Sequence, residues 1–76
     1  MDILFEIGKK IQEIRKEKNI TQKQLAEYID ISRYTLSKIE NGRYDMNIIT
    51  FYKITEILKV KPYILIKEIK NNKFNK

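Results

Sequence analysis

Two short helices joined by a tight turn are predicted by residues 21–40, Thr-Gln-Lys-Gln-Leu-Ala-Glu-Tyr-Ile-Asp-Ile-Ser-Arg-Tyr-Thr-Leu-Ser-Lys-Ile-Glu. Thr21 and Gln24 fit the Thr-x-x-Gln capping box that begins a helix, and Ser32 is a suitable N-cap for the next one. Asp30 lies between them and tolerates the left-handed backbone that a tight turn requires. Apolar residues point inward from both helices, whereas the second helix keeps a polar face with no evident intramolecular partner.

The preceding segment predicts one amphipathic helix from about Ile3 to Lys18. Its apolar residues recur at intervals of three and four positions and form one stripe: Leu4, Ile7, Ile11 and Ile14. Asp2 is a suitable N-cap, and Asn19 follows the last turn, where a left-handed cap residue belongs. Gly8 lies inside the helix and costs about 1 kcal/mol relative to alanine, unless it permits close packing.

The following segment predicts two further helices. Asn47 caps a fourth helix, and its expected core face is Ile48, Phe51, Ile54 and Leu58. Lys59 occupies a helix end where glycine is favoured, and Pro62 suits the first position of a fifth helix reaching about Lys70. No strand pattern or repeat is evident, so we expect an all-α domain of five helices over residues 1–70. The basic tail, residues 71–76, is expected to fray.

The bulk composition restricts the function. The 76 residues suffice for one small domain, and the net charge of +6 favours a polyanionic partner, either nucleic acid or an anionic membrane surface. The absence of cysteine and histidine argues against thiolate or histidine catalysis and the usual zinc sites, so we expect no enzyme activity and no cofactor. The N-terminal apolar run is too short for a secretory signal or a membrane span, which favours a cytoplasmic protein.

The chain resembles the phage-repressor and Cro type of helix-turn-helix domain, also called the xenobiotic-response-element family. The resemblance covers about residues 7–66, with the helix-turn-helix at 21–41. It rests on residues that occur in the family's order: Ile7-Gly8, Ile11, Ile14-Arg15, Thr21-Gln22, Leu25-Ala26, Ile31-Ser32-Arg33, Leu36-Ser37-Lys38-Ile39-Glu40-Asn41-Gly42, Ile54, Leu58 and Val60. The family often has glycine at Asn19, Asp30 and Lys59 and proline at Met46. The resemblance implies a lambda-repressor-like fold whose third helix enters the DNA major groove.

In this family the third helix contacts DNA bases, which here implicates Arg33, Tyr34, Ser37 and Lys38. Arg33 lies at the helix N-terminus, and an arginine can bond guanine O6 and N7 together. We expect Lys38 on the same face one turn later, also within reach of guanine. Tyr34 could stack on a sugar or press on a thymine methyl group. The alternative is a solvated polar face, the usual interpretation of charged helix residues.

A second set of residues is expected to contact DNA phosphates: Gln22, Thr35, Asn41, Arg43 and Tyr44. The family uses the glutamine at Gln22 to hold a phosphate and brace the recognition helix. Thr35 and Ser37 are adaptable and could bond a phosphate, a base or water. Phosphate contacts set the register of the protein and carry no sequence information. Ordinary helix and loop positions are the alternative for each residue.

Arg15 and Glu40 are interpreted together. Glu40 neighbours the inward-facing Ile39, which is an odd place for a lone carboxylate. Because the family pairs an arginine with a glutamate at these two positions, we expect a partly buried ion pair between helices 1 and 3 that orients the recognition helix. Removing one partner would leave an unpaired charge and cost a few kcal/mol.

The apolar residues of helices 4 and 5 exceed what one small core needs. A homodimer surface is predicted from some of them: Ile49, Tyr52, Tyr63, Ile64, Ile66 and Ile69. A larger intramolecular core or scattered surface hydrophobic residues are the alternatives.

The sequence therefore predicts a regulator of transcription that binds double-stranded DNA, a repressor acting as a homodimer on a palindromic operator. Phage repressors, restriction-modification controllers and DNA-binding antitoxins all fit. The alternative is a protein-interaction module whose DNA binding depends on a partner such as a toxin, and RNA polymerase is another possible protein partner. No membrane partner is expected, because the chain lacks a sustained amphipathic helix with a basic polar face.

Overall fold

The computed structural model describes residues 3–44 and 46–66, and no strand occurs among them. Its helices are α1 (Ile3–Glu17), α2 (Gln22–Tyr28), α3 (Arg33–Glu40), α4 (Ile48–Leu58) and α5, described over residues 62–66. The predicted all-α class and five helices are thereby confirmed. None of these helices is long and apolar enough to cross a membrane. The predictions for Asp2, Ile69, Lys70 and the tail at 71–76 lie outside the described residues.

The helix starts follow the predicted capping residues. Thr21 Oγ1 accepts a hydrogen bond from the Gln24 backbone N–H at 3.0 Å, and the Gln24 side-chain oxygen accepts one from the Thr21 N–H at 2.9 Å. The side chains of Ser32 and Asn47 each accept from the backbone N–H three residues later, at 2.9 and 2.8 Å. These bonds satisfy N–H groups that have no partner inside the helix.

The ends of α1 to α4 share one geometry. Left-handed backbone occurs at Asn19 (φ 59°), Asp30 (φ 61°), Gly42 (φ 70°) and Lys59 (φ 58°). The N–H of the next residue in each case donates to the carbonyl five positions earlier, at 2.8–3.1 Å. This is the Schellman arrangement that ends helices. Lys59 has neither the freedom of glycine nor a short polar side chain to stabilise this backbone, so it is the strained member of the set.

We expect Lys59→Gly to raise the free energy of unfolding by about 1 kcal/mol, because the left-handed backbone at this residue then carries no Cβ penalty. Urea unfolding followed by circular dichroism would measure the change. Lys53→Gly is the matched control, since Lys53 is exposed within α4 and there glycine should cost about 1 kcal/mol. A loss of stability at both positions would contradict the assigned strain.

The core lies where α2 and α3 pack on each other, with α1 against α3 and α4 against α2. Its buried apolar side chains come from all five helices and from Ile29: Ile11, Leu25, Ala26, Ile29, Leu36, Ile39, Phe51, Ile54, Leu58 and Leu65. The prediction that Ile48 belongs to the core is wrong, since this residue is 75% exposed. The inward stripe of α4 includes Thr55 instead, whose hydroxyl donates to the Tyr52 carbonyl at 2.7 Å. Ile48 lies in the first turn of α4, beside that stripe.

Two glycines let α1 lie directly against the end of α3. A Cβ atom at Gly8 would overlap the carbonyl oxygen of Ile39 and lie 2.8 Å from that of Glu40. A Cβ atom at Gly42 would lie 2.5 Å from Cα of Phe5. Gly8 therefore permits the close packing that its position in a helix suggested, and the contact sets the distance between α1 and α3.

Candidate nucleic-acid interface

The outward face of α3 carries the residues predicted to contact DNA. Leu36, Ile39 and Glu40 are buried, so the helix is anchored along one side. Successive residues of an α-helix lie about 100° apart around its axis, which puts the opposite line through Tyr34, Lys38 and Asn41. Arg33 and Ser37 flank this line on one side, and Thr35 flanks it on the other. The structure thus brings Tyr34, Ser37 and Lys38 onto the outward-facing half of α3, and Arg33 lies beside that half, next to Ser37.

Lys38 shares its line with Tyr34 rather than with Arg33. The Lys38 Nζ atom lies 5.1 Å from the centroid of the Tyr34 ring, within the range of a cation–π contact. Lys38 is about 40° from Tyr34 around the helix axis and about 140° from Arg33. The expectation that Lys38 follows Arg33 on the same face is therefore wrong. Residues four apart are neighbours on a helix, whereas residues five apart are not.

Arg33 is the first residue of α3 and its side chain is exposed. The Arg33 side chain makes no hydrogen bond or ion pair with any other residue in the described part of the chain. The N-terminal residues of a recognition helix are those that contact base edges in this motif. Its guanidinium group is thus available to a ligand without first breaking an internal contact.

Ser32 has a role that the sequence interpretation missed. Its hydroxyl oxygen accepts from the Thr35 backbone N–H at 2.9 Å, and its O–H donates to Thr35 Oγ1 at 2.8 Å. The half-buried Thr35 hydroxyl is thereby oriented, and its own proton remains available for an acceptor. The signal was present, because an N-cap serine was followed three residues later by a second hydroxyl.

The residues after α3 lie at the opposite end of the helix from Arg33. Asn41 Nδ2 donates to the Ser37 carbonyl at 2.9 Å, so this side chain helps to close the last turn. The second N–H of that amide remains available to another acceptor. Arg43 and Tyr44 are exposed, and the Arg43 backbone N–H is bonded to the Lys38 carbonyl at 2.8 Å. The loop is therefore fixed to the helix through its backbone, with the guanidinium group pointing away from the core.

A buried ion pair lies behind the outward face. Arg15 Nε donates to Glu40 Oε2 at 2.7 Å, and Arg15 Nη2 donates to Glu40 Oε1 at 3.1 Å. The third guanidinium nitrogen, Nη1, donates to the Ile20 carbonyl at 2.8 Å. Arg15 is 6% exposed and Glu40 is 3% exposed. The pair thus joins α1, the turn before α2, and the last turn of α3 through paired, charge-assisted hydrogen bonds.

Gln22 is connected to this ion pair. Its Nε2 atom donates to Glu40 Oε1 at 3.0 Å, so the glutamine at the start of α2 contacts the end of α3. A carboxylate only accepts hydrogen bonds, which turns the amide nitrogen toward Glu40 and the amide oxygen away from it. The second N–H of the amide remains for another acceptor. The sequence interpretation did not connect Gln22 with Glu40, because 18 positions separate them.

The predicted dimer residues lie on α4 and α5 and are exposed. Five of these predicted residues lie within the described part of the chain. They and Ile48 are between 41 and 75% exposed: Ile48, Ile49, Tyr52, Tyr63, Ile64 and Ile66. These are large apolar side chains on the surface of α4 and α5, and Ile48 adds to them because it faces outward instead of joining the core.

The arrangement of α2, the turn at Asp30 and α3 defines a helix-turn-helix domain. A family model described as helix-turn-helix matches residues 11–65. The chain belongs to this family, in its xenobiotic-response-element branch of DNA-binding transcriptional regulators. The predicted family is thereby confirmed.

Known relatives include repressors and controllers. The chain is 36% identical over 62 residues to the immunity repressor protein of Bacillus phage phi105, covering 82% of this chain and 43% of that protein. It is 36% identical over 55 residues to control protein C.MunI of a Mycoplasma species, covering 71% of this chain and 74% of that protein. The chain thus spans less than half the length of the phage repressor.

Solved structures agree with this assignment. A variant of the restriction-modification controller protein C.Esp1396I superposes with a TM-score of 0.78 at 32% identity, covering 91% of this chain and 92% of that one. The clp gene regulator ClgR of Corynebacterium glutamicum superposes with a TM-score of 0.85 at 21% identity, covering 92% of this chain and 74% of that one. The ClgR match, at that identity, shows the shared fold.

Proposed function

We propose that this chain represses transcription by binding a palindromic DNA operator as a homodimer, with α3 of each protomer in the major groove. The observation that supports this proposal best is the division of α3 into a polar outward half and an anchored inward half. Its outward half is polar and carries Lys38, with the exposed Arg33 at the helix N-terminus, while its inward half is held by the core and by the Arg15–Glu40 pair. A helix that is anchored along one side and carries exposed polar side chains on the other suits base recognition.

The proposed contacts divide by chemistry. Base edges would be contacted by Arg33, Tyr34, Ser37 and Lys38, and phosphates by Gln22, Thr35, Asn41, Arg43 and Tyr44. The net charge of +6 favours approach to DNA and makes binding depend on salt, because phosphate contacts release counterions. Gln22 would use its second amide N–H for a phosphate and so connect the DNA backbone to the buried pair.

The homodimer is proposed from the exposed apolar residues of α4 and α5. Burying them against a second copy would remove this apolar surface from water. A two-fold protein matches a palindromic site, with half-sites about one helical turn, roughly 34–36 Å, apart. The repressor role is proposed by analogy with the phi105 immunity repressor.

Selection of bound sequences from a randomised duplex pool at near-physiological salt would test the proposal. We expect a palindrome with half-sites about one turn apart, and in vitro transcription should decrease when this site overlaps the promoter. Increased transcription would make the protein an activator. Salt-sensitive but sequence-blind binding would overturn the proposal and favour a module that depends on a protein partner such as a toxin.

Arg33→Ala and Arg43→Ala form a matched pair that separates base from phosphate contacts. We expect Arg33→Ala to cost about 1–3 kcal/mol of binding free energy and to relax preference at one base pair. Arg43→Ala should weaken binding to every sequence and lower the slope of log affinity against log salt by about one unit. Binding titrations on the selected operator and its single-base variants, at several salt concentrations, measure both effects. Equal losses on all sequences for Arg33→Ala would assign that residue to a phosphate.

A further inference from the structure

A cation–π contact between Tyr34 and Lys38 lies on the outward face of α3. Tyr34 is 72% exposed, yet its ring lies beneath the Lys38 ammonium group, 5.1 Å from centroid to Nζ. Lys38 is half-buried, and no ion pair to a carboxylate accompanies it within residues 3–44 and 46–66. The aromatic ring is therefore the feature that orients this cation.

The physical effect of such a ring is to restrict a flexible side chain. A lysine has four rotatable side-chain bonds, and its ammonium group can contact many acceptors in a DNA groove, including phosphates on either strand. The negative face of an aromatic ring attracts the cation and favours a few of these conformations. The ammonium group then lies close to the middle of the outward face, which would meet the base edges in the proposed complex with DNA.

We propose that Tyr34 is a positioning residue for Lys38: its ring holds the ammonium group in place, and the sharpness of base discrimination by Lys38 depends on it. This inference rests on the proposed function, because it concerns the same DNA interface. It differs from a direct base contact by Tyr34 in one respect. At the base pair that Lys38 contacts, the effect of removing the ring should pass through Lys38 and vanish when Lys38 carries no charge.

The contact can be tested in the free protein by NMR. The ring current of Tyr34 should shift the Lys38 ε-methylene protons upfield in the wild type and in Tyr34→Phe, which keeps the ring. The shift should disappear in Tyr34→Leu. Tyr28→Leu is the matched control, because Tyr28 is also exposed but lies on α2. Unshifted ε-methylene protons in the wild type would overturn the inference without reference to DNA.

The consequence is tested by binding titrations on the selected operator and its single-base variants. Lys38→Met should relax discrimination at one base pair. At that base pair we expect Tyr34→Leu to lower discrimination by a factor of about two to five, the strength of an exposed cation–π contact, and Tyr34→Phe to retain it. Adding Tyr34→Leu to Lys38→Met should cause no further loss at that position.

Three results would overturn the inference while leaving the proposed function intact. The first is that Tyr34→Leu keeps full base discrimination, and the second is that Tyr34→Leu lowers the affinity equally for every DNA sequence. The third is that the losses of discrimination from Tyr34→Leu and Lys38→Met add in the double variant, which would make Tyr34 an independent contact. A Lys38→Met variant that relaxes no position would also overturn it. If the wild type itself shows no preferred sequence, the proposed function fails and the inference fails with it.

Discussion

Glu40→Ala should destabilise the domain by about 3–5 kcal/mol, because it leaves the buried Arg15 guanidinium group without a counter-charge. The same substitution removes the acceptor for Gln22. Folded domains have a total stability of about 5–15 kcal/mol, and small ones lie near the lower limit. Much of the Glu40→Ala variant should therefore be unfolded at 37 °C. Circular dichroism of the variant and the wild type at that temperature measures the difference.

Two further variants separate charge from hydrogen bonding. Gln22→Ala removes one bond at a half-buried site and should cost about 1 kcal/mol. The double variant Arg15→Met with Glu40→Leu should recover most of the lost stability, since an apolar pair of similar volume replaces a buried ion pair with little penalty. Urea unfolding measures each variant. If Glu40→Ala lowers the free energy of unfolding by no more than Gln22→Ala does, the Arg15–Glu40 ion pair does not stabilise the fold as described.

The double variant also tests the orienting role. If the ion pair and Gln22 together set the position of α3, a folded double variant should bind the selected operator more weakly than the wild type. Unchanged operator binding by that variant would show that the packing of α3 suffices for its orientation.

Gly8→Ala should lower the free energy of unfolding by about 1–3 kcal/mol, as overpacking in a well-packed core does. The sign is opposite to the gain of about 1 kcal/mol expected for this change in an open helix. The added methyl group would meet the carbonyl oxygens of Ile39 and Glu40, which belong to the backbone and cannot rotate away. Either α1 moves off α3 or the end of α3 shifts.

Thermal unfolding of Gly8→Ala beside Lys16→Ala measures this effect. Lys16 lies on the exposed side of α1, and its substitution should change stability by less than about 0.5 kcal/mol. A higher melting temperature for Gly8→Ala than for the wild type would show that α1 lies further from α3 than the structure has it. The operator affinity of Gly8→Ala should also fall, because a shift at the end of α3 would move Glu40, through which the ion pair orients this helix.

The helices and their limits were predictable because their signals are local. The predicted first helix, Ile3 to Lys18, differs from α1 by one residue at its end. Capping bonds join residues three apart, and the left-handed positions at Asn19, Asp30 and Lys59 each follow directly from where a helix stops. Pro62 begins the fifth helix as expected.

Two errors came from treating helix faces too simply. The spacing of Ile48 to Phe51 predicts a core position, yet Ile48 lies at the edge of the α4 stripe, in the first turn. Lys38 was assigned to the face of Arg33, although a spacing of five residues turns it well away. The roles of Arg33 and Lys38 toward DNA stay predictions.

The amino-acid order alone was enough for the fold class, the caps and the turn, since each arises from interactions within a few residues of chain. The pairing of Arg15 with Glu40 came from resemblance to a family, and no spacing implied it. The geometry of that pair, its link to Gln22 and the contact of Gly8 with the end of α3 became visible with the folded chain. These contacts join residues 18 to 32 positions apart, and they exist because the core fixes where α1, α2 and α3 meet.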